Sequence, residues 1–322
     1  MKYTTTLWRA ALMLTAALVL GAAPVAVVPV RAAEPKQAAA PRQATFASAE
    51  EAVDAMVEAI RAKKLDRLVA IIGPGSRSWL LSGDKVADLA GFGKFLAAYD
   101  EKHALVPGAG GRMGLEAGKD GWPFPVPLTK SGDRWRFDTA AGREEVLARR
   151  IGRNELDTIQ VMRAIADAQL DYARMDRDGD GLIEYAQKFR STPGKKDGLY
   201  WPVQAGEPQS PLGPLAARAT REGYNTEKPS EQPQPFHGYL FRILKGQGKD
   251  APGGAYDYVV RGSMIGGFAV VAYPVNYGVS GVMTFLINQD GVVYQKDLGP
   301  ETAKLAGQMT RFNPDASWTK QP

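Results

Sequence analysis

The stretch "NELDTIQVMRAIADAQLDYARM", residues 154–175, sets the reading of this chain. Leu156, Ile159, Met162, Ile165 and Tyr172 recur at helical spacing and predict one buried stripe on an amphipathic helix. Asn154 stands where an N-cap belongs, with Asp157 three residues on in the reciprocal capping position. The pattern therefore predicts a helix from Asn154 to about Met175. Further on, "GYLFRILK", "AYDYVVRG", "MIGGFAVVAYP" and "GVMTFLIN" are β-branched or aromatic runs. "NQDG" reads as a hairpin turn and "VVYQKDLG" as the return strand. Gly266 and Gly267, inside one such run, predict a bulge or a close backbone approach. The outcome is an α+β arrangement, a long helix laid on a meandering antiparallel sheet.

Upstream of residue 154 the order is reversed. Ser48 is placed to cap a helix with Glu51 three residues on, and Ala52, Met56, Ala59 and Ile60 share its apolar face. "DLAGFGKFLAAYDEKHAL" is a second amphipathic segment, which would carry Asp100 and His103 on a helix. "GRMGLEAG", "FPVPLTKSG" and "DRWRFDTAAG" follow as short strands split by Gly and Asp. Helices followed by a strand meander ending on Trp135 and Phe137 resemble the NTF2-like cone fold over residues 45–153. That resemblance implies a curved sheet wrapped on a helix around a pocket. Cones of this kind serve enzymes, binders and dimerisation modules alike, so the fold selects no activity.

The N-terminus reads as an export signal over residues 1–33. Lys2 and Arg9 precede an uncharged Ala/Leu/Val-rich run, with small residues at 32–33 where cleavage is expected. An uncleaved anchor is the alternative, but Gly21, Pro24 and Pro29 favour cleavage. Removal of Lys2, Arg9 and Arg31 lowers the formal charge from +5 to +2. The remaining charges are interspersed, which argues against nucleic acid as a partner. With no cysteine, disulfides, lipoprotein attachment and thiol chemistry are excluded. The expected product is a periplasmic or secreted chain without a membrane span. Residues 34–44 form a flexible tether, and domains follow at 45–153 and 154–318.

Several stretches together resemble the domain of unknown function 2950 family of exported bacterial proteins. They include "WPFPVPL", "WRFDTAAG", "RRIGRNEL", "DRDGDG", "DGLYWP", "SPLGPL", "HGYLFRIL", "APGGAYDY" and "GVSGVMTFLINQDGVVYQKDLG". This resemblance implies no activity. A second likeness lies in "AIADAQLDYA" followed, after an insertion, by "GYLFRIL" and "FAVVAYPVNYGVSGVMTFLINQDGVV". These segments resemble the soluble head of type IV pilins and pseudopilins. The chain has neither the prepilin peptidase site nor the long apolar fibre helix. The likeness therefore implies a head detached from its fibre, not a pilus subunit.

"DRDGDGLIEYAQ", residues 176–187, carries the clearest candidate site. Asp176, Asp178 and Asp180 at positions 1, 3 and 5, with Gly181 at 6, fit a calcium loop, in which the Leu182 carbonyl would serve at position 7. Gln187 replaces the closing glutamate, so Glu184 at position 9 is the expected acidic closer, and a short exit helix is expected near it. Calcium would be structural, fixing the helix against the next loop. The other reading is an acidic turn that ends a helix. "STPGKKDGLYWPVQAGEPQSPLGPL" reads as a packed loop. Trp122, Trp135, Tyr200 and Trp201 are candidates to line a ligand pocket, or else packing anchors beside proline. His237 at a strand start is a candidate for acid–base work, or a structural histidine. "GAGGRMG" fails the dinucleotide spacing, and no metalloprotease, nucleophile-elbow or P-loop pattern occurs.

These features point to an exported, non-catalytic cell-envelope protein with a binding or assembly role toward an envelope partner and a structural calcium loop. The alternative is a small-molecule-binding or enzymatic cone domain.

Overall fold

Ser48 caps the first helix as its sequence predicts, its hydroxyl accepting from the Glu51 amide while the Glu51 carboxylate accepts from Ala47. The computed structural model describes residues 42–226 and 233–321; the expected export signal and all but the end of the tether lie outside them. Helices α1 (Ala49–Arg61), α2 (Leu65–Ile72), α3 (Arg77–Leu80) and α4 (Lys85–Glu101) come first. Strands β1 (His103–Pro107), β2 (Met113–Ala117), β3 (Trp122–Pro123), β4 (Leu128–Ser131) and β5 (Arg134–Phe137) follow. They pair antiparallel in the order β1-β2-β4-β5, with β3 also on β2. His103 thus opens a strand, because Lys102 is already extended and ends α4. Its ring stacks on Tyr99 at 3.8 Å, and Asp100 pairs with Arg61. The space between these helices and the sheet is filled by Trp79, Leu115, Val126, Leu128 and Phe137, each at most 2% exposed.

Helix α5 runs without a break from Thr139 to Tyr172, 34 residues and about 50 Å. Its start corrects the sequence expectation. Asp138, directly after β5, accepts from the Ala141 amide and is the true N-cap. Asn154 lies mid-helix, where its side-chain amide donates to the Ser280 carbonyl at 2.8 Å. The next residue, Glu155, accepts from the Val282 and Met283 amides. Gly142 permits the helix to lie on the first sheet, since a Cβ there would stand 2.5 Å from Val126 Cγ1. The buried face carries Val161, Met162, Ile165, Ala166 and Tyr172, whereas the expected Leu156 is 66% exposed.

After a long loop and α6 (Gly213–Arg221) come β6 (Tyr239–Leu244), β7 (Gly246–Gln247), β8 (Tyr256–Asp257) and β9 (Ala269–Pro274). The chain ends with β10 (Met283–Asn288), β11 (Tyr294–Asp297), α7 (Thr302–Gln308) and β12 (Thr319–Lys320). The second sheet is antiparallel, ordered β12-β11-β10-β9-β6, and β7 and β8 form a separate ribbon. Its register is set by the NQDG turn, where Gly291 at φ 73° donates to Asn288 and Leu286 faces Tyr294. Gly266 is the expected close approach, because a Cβ there would lie 2.8 Å from the Asp257 carbonyl. β9 and β10 are buried over nearly their whole length under α5, forming one apolar cluster with Tyr239, Phe268 and Phe312, while the first sheet and its helices form another. Among the described residues no helix is long and apolar enough to cross a membrane.

Candidate functional site

The acidic loop begins where α5 stops. Asp176 folds it by accepting from the Gly179 amide at 2.7 Å and the Gly181 amide at 3.0 Å, and both glycines take left-handed φ. Asp180 accepts from the Leu182 amide at 2.8 Å. As a result Asp176, Asp178 and Asp180 bring carboxylate oxygens within 4.8 Å of one another, all three residues exposed. The amides of Gly181 and Gly179 hold the Asp176 carboxyl below its ordinary range. Partial burial, then the charges of Asp180 and Asp176, push Asp178 up. Three hard oxygen donors at this spacing suit calcium chemistry, although Asp176 already spends both oxygens on backbone.

The rest of the loop departs from the expected motif. Glu184 is not in the group of converging carboxylates, because it accepts from the Met264 amide at 2.9 Å. Burial, chiefly, raises its carboxyl above the ordinary value. No exit helix forms at Glu184. Tyr185 donates to the Met264 carbonyl instead, which ties this segment to the chain before β9. Leu182 commits its amide to Asp180, and its side chain is 45% exposed.

Beyond the loop, residues 188–200 fold back on themselves. Leu199 and Tyr200 donate to Lys188 and Phe189, and Ser191 donates to Tyr200. Gly198 is required there, since a Cβ would come within 2.7 Å of the Arg190 backbone. Burial would raise Asp197, but Lys188 Nζ and the Thr192 amide and hydroxyl outweigh it and hold its carboxyl at about 2. The Tyr172 hydroxyl, at the end of α5, donates to the Lys196 carbonyl at 2.8 Å. Burial raises this phenol well above its usual range.

This scaffold presents two grooves that share Trp201, Val203 and Gln209. One, of about 350 Å³, faces Met175, Asp176 and Lys196; the other, of about 480 Å³, faces Arg190, Tyr200 and α6. Lys196 lies over the Trp201 ring at 5.7 Å, and Arg190 over Tyr200 at 5.4 Å. Tyr200 and Trp201 both line the second groove. Trp122 and Trp135 do not join them: they belong to the first sheet, under Arg149 at 5.3 Å and Lys130 at 5.5 Å.

His237 sits in a network that sequence reasoning did not assemble. Its Nδ1 meets Asp157 at 2.9 Å and its Nε2 meets Glu222 at 2.6 Å, while the side chain is 12% exposed. Arg218 reaches both carboxylates, and together with His237 it holds Glu222 below its ordinary value against the pull of burial. Both ring nitrogens are thus engaged by carboxylates, one from α5 and one just past the end of α6. Asp84 accepts from the Val86 and Ala87 amides to cap α4, and from the Tyr224 hydroxyl and the Gly238 amide beside His237. Sequence reasoning missed Asp84; its place just before "KVADLA" is a cap signal, whereas its long-range partners carry none.

No curated protein and no solved structure matches the chain. A family model described as "Protein of unknown function (DUF2950)" matches residues 43–321, so the chain belongs to that family.

Proposed function

We propose that this protein is an exported, non-catalytic binding or assembly factor of the cell envelope. The observation that carries the reading is the pair of open grooves flanking Trp201, built on a loop fastened by Gly198, Asp197 and Tyr172. Surface cavities of several hundred Å³ with an apolar wall and a few polar groups suit ligand capture. The long helix α5 on β9 and β10 supports a pilin-head-like second half, and helices over a meander support an NTF2-like first half. A small molecule inside that first half would have to displace Phe137, Leu128 and Trp79, which weighs against the cone-pocket alternative.

In the same reading, Asp176, Asp178 and Asp180 hold a structural calcium ion at the end of α5, beside the first groove. A photoreactive residue at position 209, on the exposed Gln209, tests the binding role in envelope extracts. The expected result is a discrete crosslinked partner that unlabelled protein competes away. No partner, together with turnover of a small substrate, would sink it.

A further inference from the structure

The second sheet has an open edge. Strand β6 ends the order β12-β11-β10-β9-β6, so only its β9 side is paired. The Val275 amide donates to the Gly238 carbonyl, and bonding alternates from there, so the backbones of Leu240, Arg242 and Leu244 face β9. Those of Tyr239, Phe241 and Ile243 face outward. Tyr239 exchanges both its bonds with Phe236, and Lys245 is held by Thr310 and Tyr258. Between them the N–H and C=O groups of Phe241 and Ile243 have no partner among the described residues. The other edges are blunted: β12 has two residues, Phe46 bridges β5 at Trp135, and β1 ends in Pro107.

This edge selects its occupant twice. Its free donors and acceptors recur after two residues, about 6.7 Å, which is the repeat of an extended polypeptide. The second selector is Arg242, which stands between them. It is half-buried, donates to the Ala306 carbonyl at 2.7 Å, and has no carboxylate partner among the described residues. A second copy related by a two-fold axis can bond both free positions only by pairing Phe241 of each copy with Ile243 of the other. That register sets the two Arg242 residues directly opposite, about 4.5 Å apart at Cα. Like charges so placed repel, whereas a carboxylate in the same place is attracted.

We propose that β6 is a docking edge to which an extended segment of a different protein adds one more strand, with a carboxylate opposite Arg242 and an apolar residue on either side of it. The two apolar residues bond the backbones of Phe241 and Ile243. Their side chains lie on the face opposite the carboxylate, beside Phe241 and Ile243, which already pack on the second core. Arg242 thus acts in both directions, opposing self-pairing of the edge and favouring an acidic partner. This surface is separate from the grooves at Trp201, and the inference does not rest on them.

The test is titration of the full mature chain with acetyl-Thr-Val-Asp-Val-Thr-amide, its lysine counterpart, and the aspartate peptide N-methylated at both valines. Calorimetry and amide hydrogen exchange are the readouts. The aspartate peptide should bind and slow exchange at Phe241 and Ile243. The lysine peptide should bind about tenfold more weakly, and the N-methylated peptide, with no N–H to give the two free carbonyls, should not bind. Ile243→Pro removes an outward N–H, a change an edge strand accommodates, and should abolish binding; Arg242→Gln should erase the preference for aspartate over lysine. The N-methylated peptide tests the edge on the wild type itself, whatever either variant does to folding. Equal binding of the aspartate and lysine peptides, binding that survives N-methylation, or no binding of the aspartate peptide would each overturn the proposal. A wild-type dimer in sedimentation that Ile243→Pro dissociates would overturn it too, by giving the edge to a second copy.

Discussion

The Tyr224 hydroxyl donates to Asp84 Oδ2 at 2.8 Å, across 140 residues of chain. One buried carboxylate thereby caps α4 over the first sheet and fastens the segment that enters the second. Arg150 adds a second strap, donating from α5 to the Trp79 and Leu80 carbonyls.

Removing that carboxylate should loosen both halves together. Asp84→Ala deletes the cap, a loss of about 0.5–2 kcal/mol, and orphans the Tyr224 hydroxyl and the Gly238 amide, about 1–3 kcal/mol for a buried polar group. Tyr224→Phe should cost less, since Gly238 still donates to Asp84. Urea unfolding followed by tryptophan fluorescence and by circular dichroism measures this. One shared transition at a lower midpoint is expected; two separated transitions in the wild type would show that the halves do not depend on each other.

Gly281 is predicted to tolerate no side chain. A Cβ there would stand 2.0 Å from the Tyr239 hydroxyl oxygen, which itself donates to the Met283 carbonyl in the core. Gly281→Ala should cost at least the roughly 1–3 kcal/mol of overpacking, with Tyr239→Leu partly relieving it, since the ring atoms Cζ and Cε2 would also stand within 2.6 Å of the new Cβ. A double variant no more stable than Gly281→Ala alone would place the strain elsewhere.

Calcium, if Asp176, Asp178 and Asp180 hold it, should raise the melting temperature. A ligand at a hundred times its dissociation constant stabilises the fold by about 2.7 kcal/mol. Asp178→Asn should remove the increment, while Glu184→Gln should leave most of it, because Glu184 serves the Met264 amide. A melting curve that millimolar calcium leaves unmoved retires the site.

Acid should reveal Asp197. Its folded carboxyl lies at about 2 against an ordinary 3.8, so its contribution is present above 3.8 and fades as the pH falls toward 2. Asp197→Asn should therefore lose stability less steeply than wild type across that window. Parallel plots of urea midpoint against pH for the two proteins would deny the carboxylate this role.

Much of the architecture was legible where the signals are local. The Ser48–Glu51 cap, the NQDG hairpin and the close approach at Gly266 each follow from a few adjacent residues. The start of α5 was not, because Asn154 looks like a cap and Asp138 looks like the end of a strand. Only contact with Ser280, 126 residues away, explains an asparagine inside a helix. The site divides the same way. Spacing brought Asp176, Asp178 and Asp180 together, but a distant amide decides where Glu184 points, and α6 decides that Tyr200 and Trp201 face a groove without Trp122 or Trp135.

The uninterrupted course of α5 also governs exposure to proteases. Cleavage needs several residues of extended backbone, and the middle of a packed helix offers none without opening. Asn154 and Glu155, at the midpoint, are pinned to residues 280–283. Cutting the stretch between the two sheets therefore demands release of the second sheet as well, so wild type should persist under limited digestion there, whereas Asn154→Ala should be nicked.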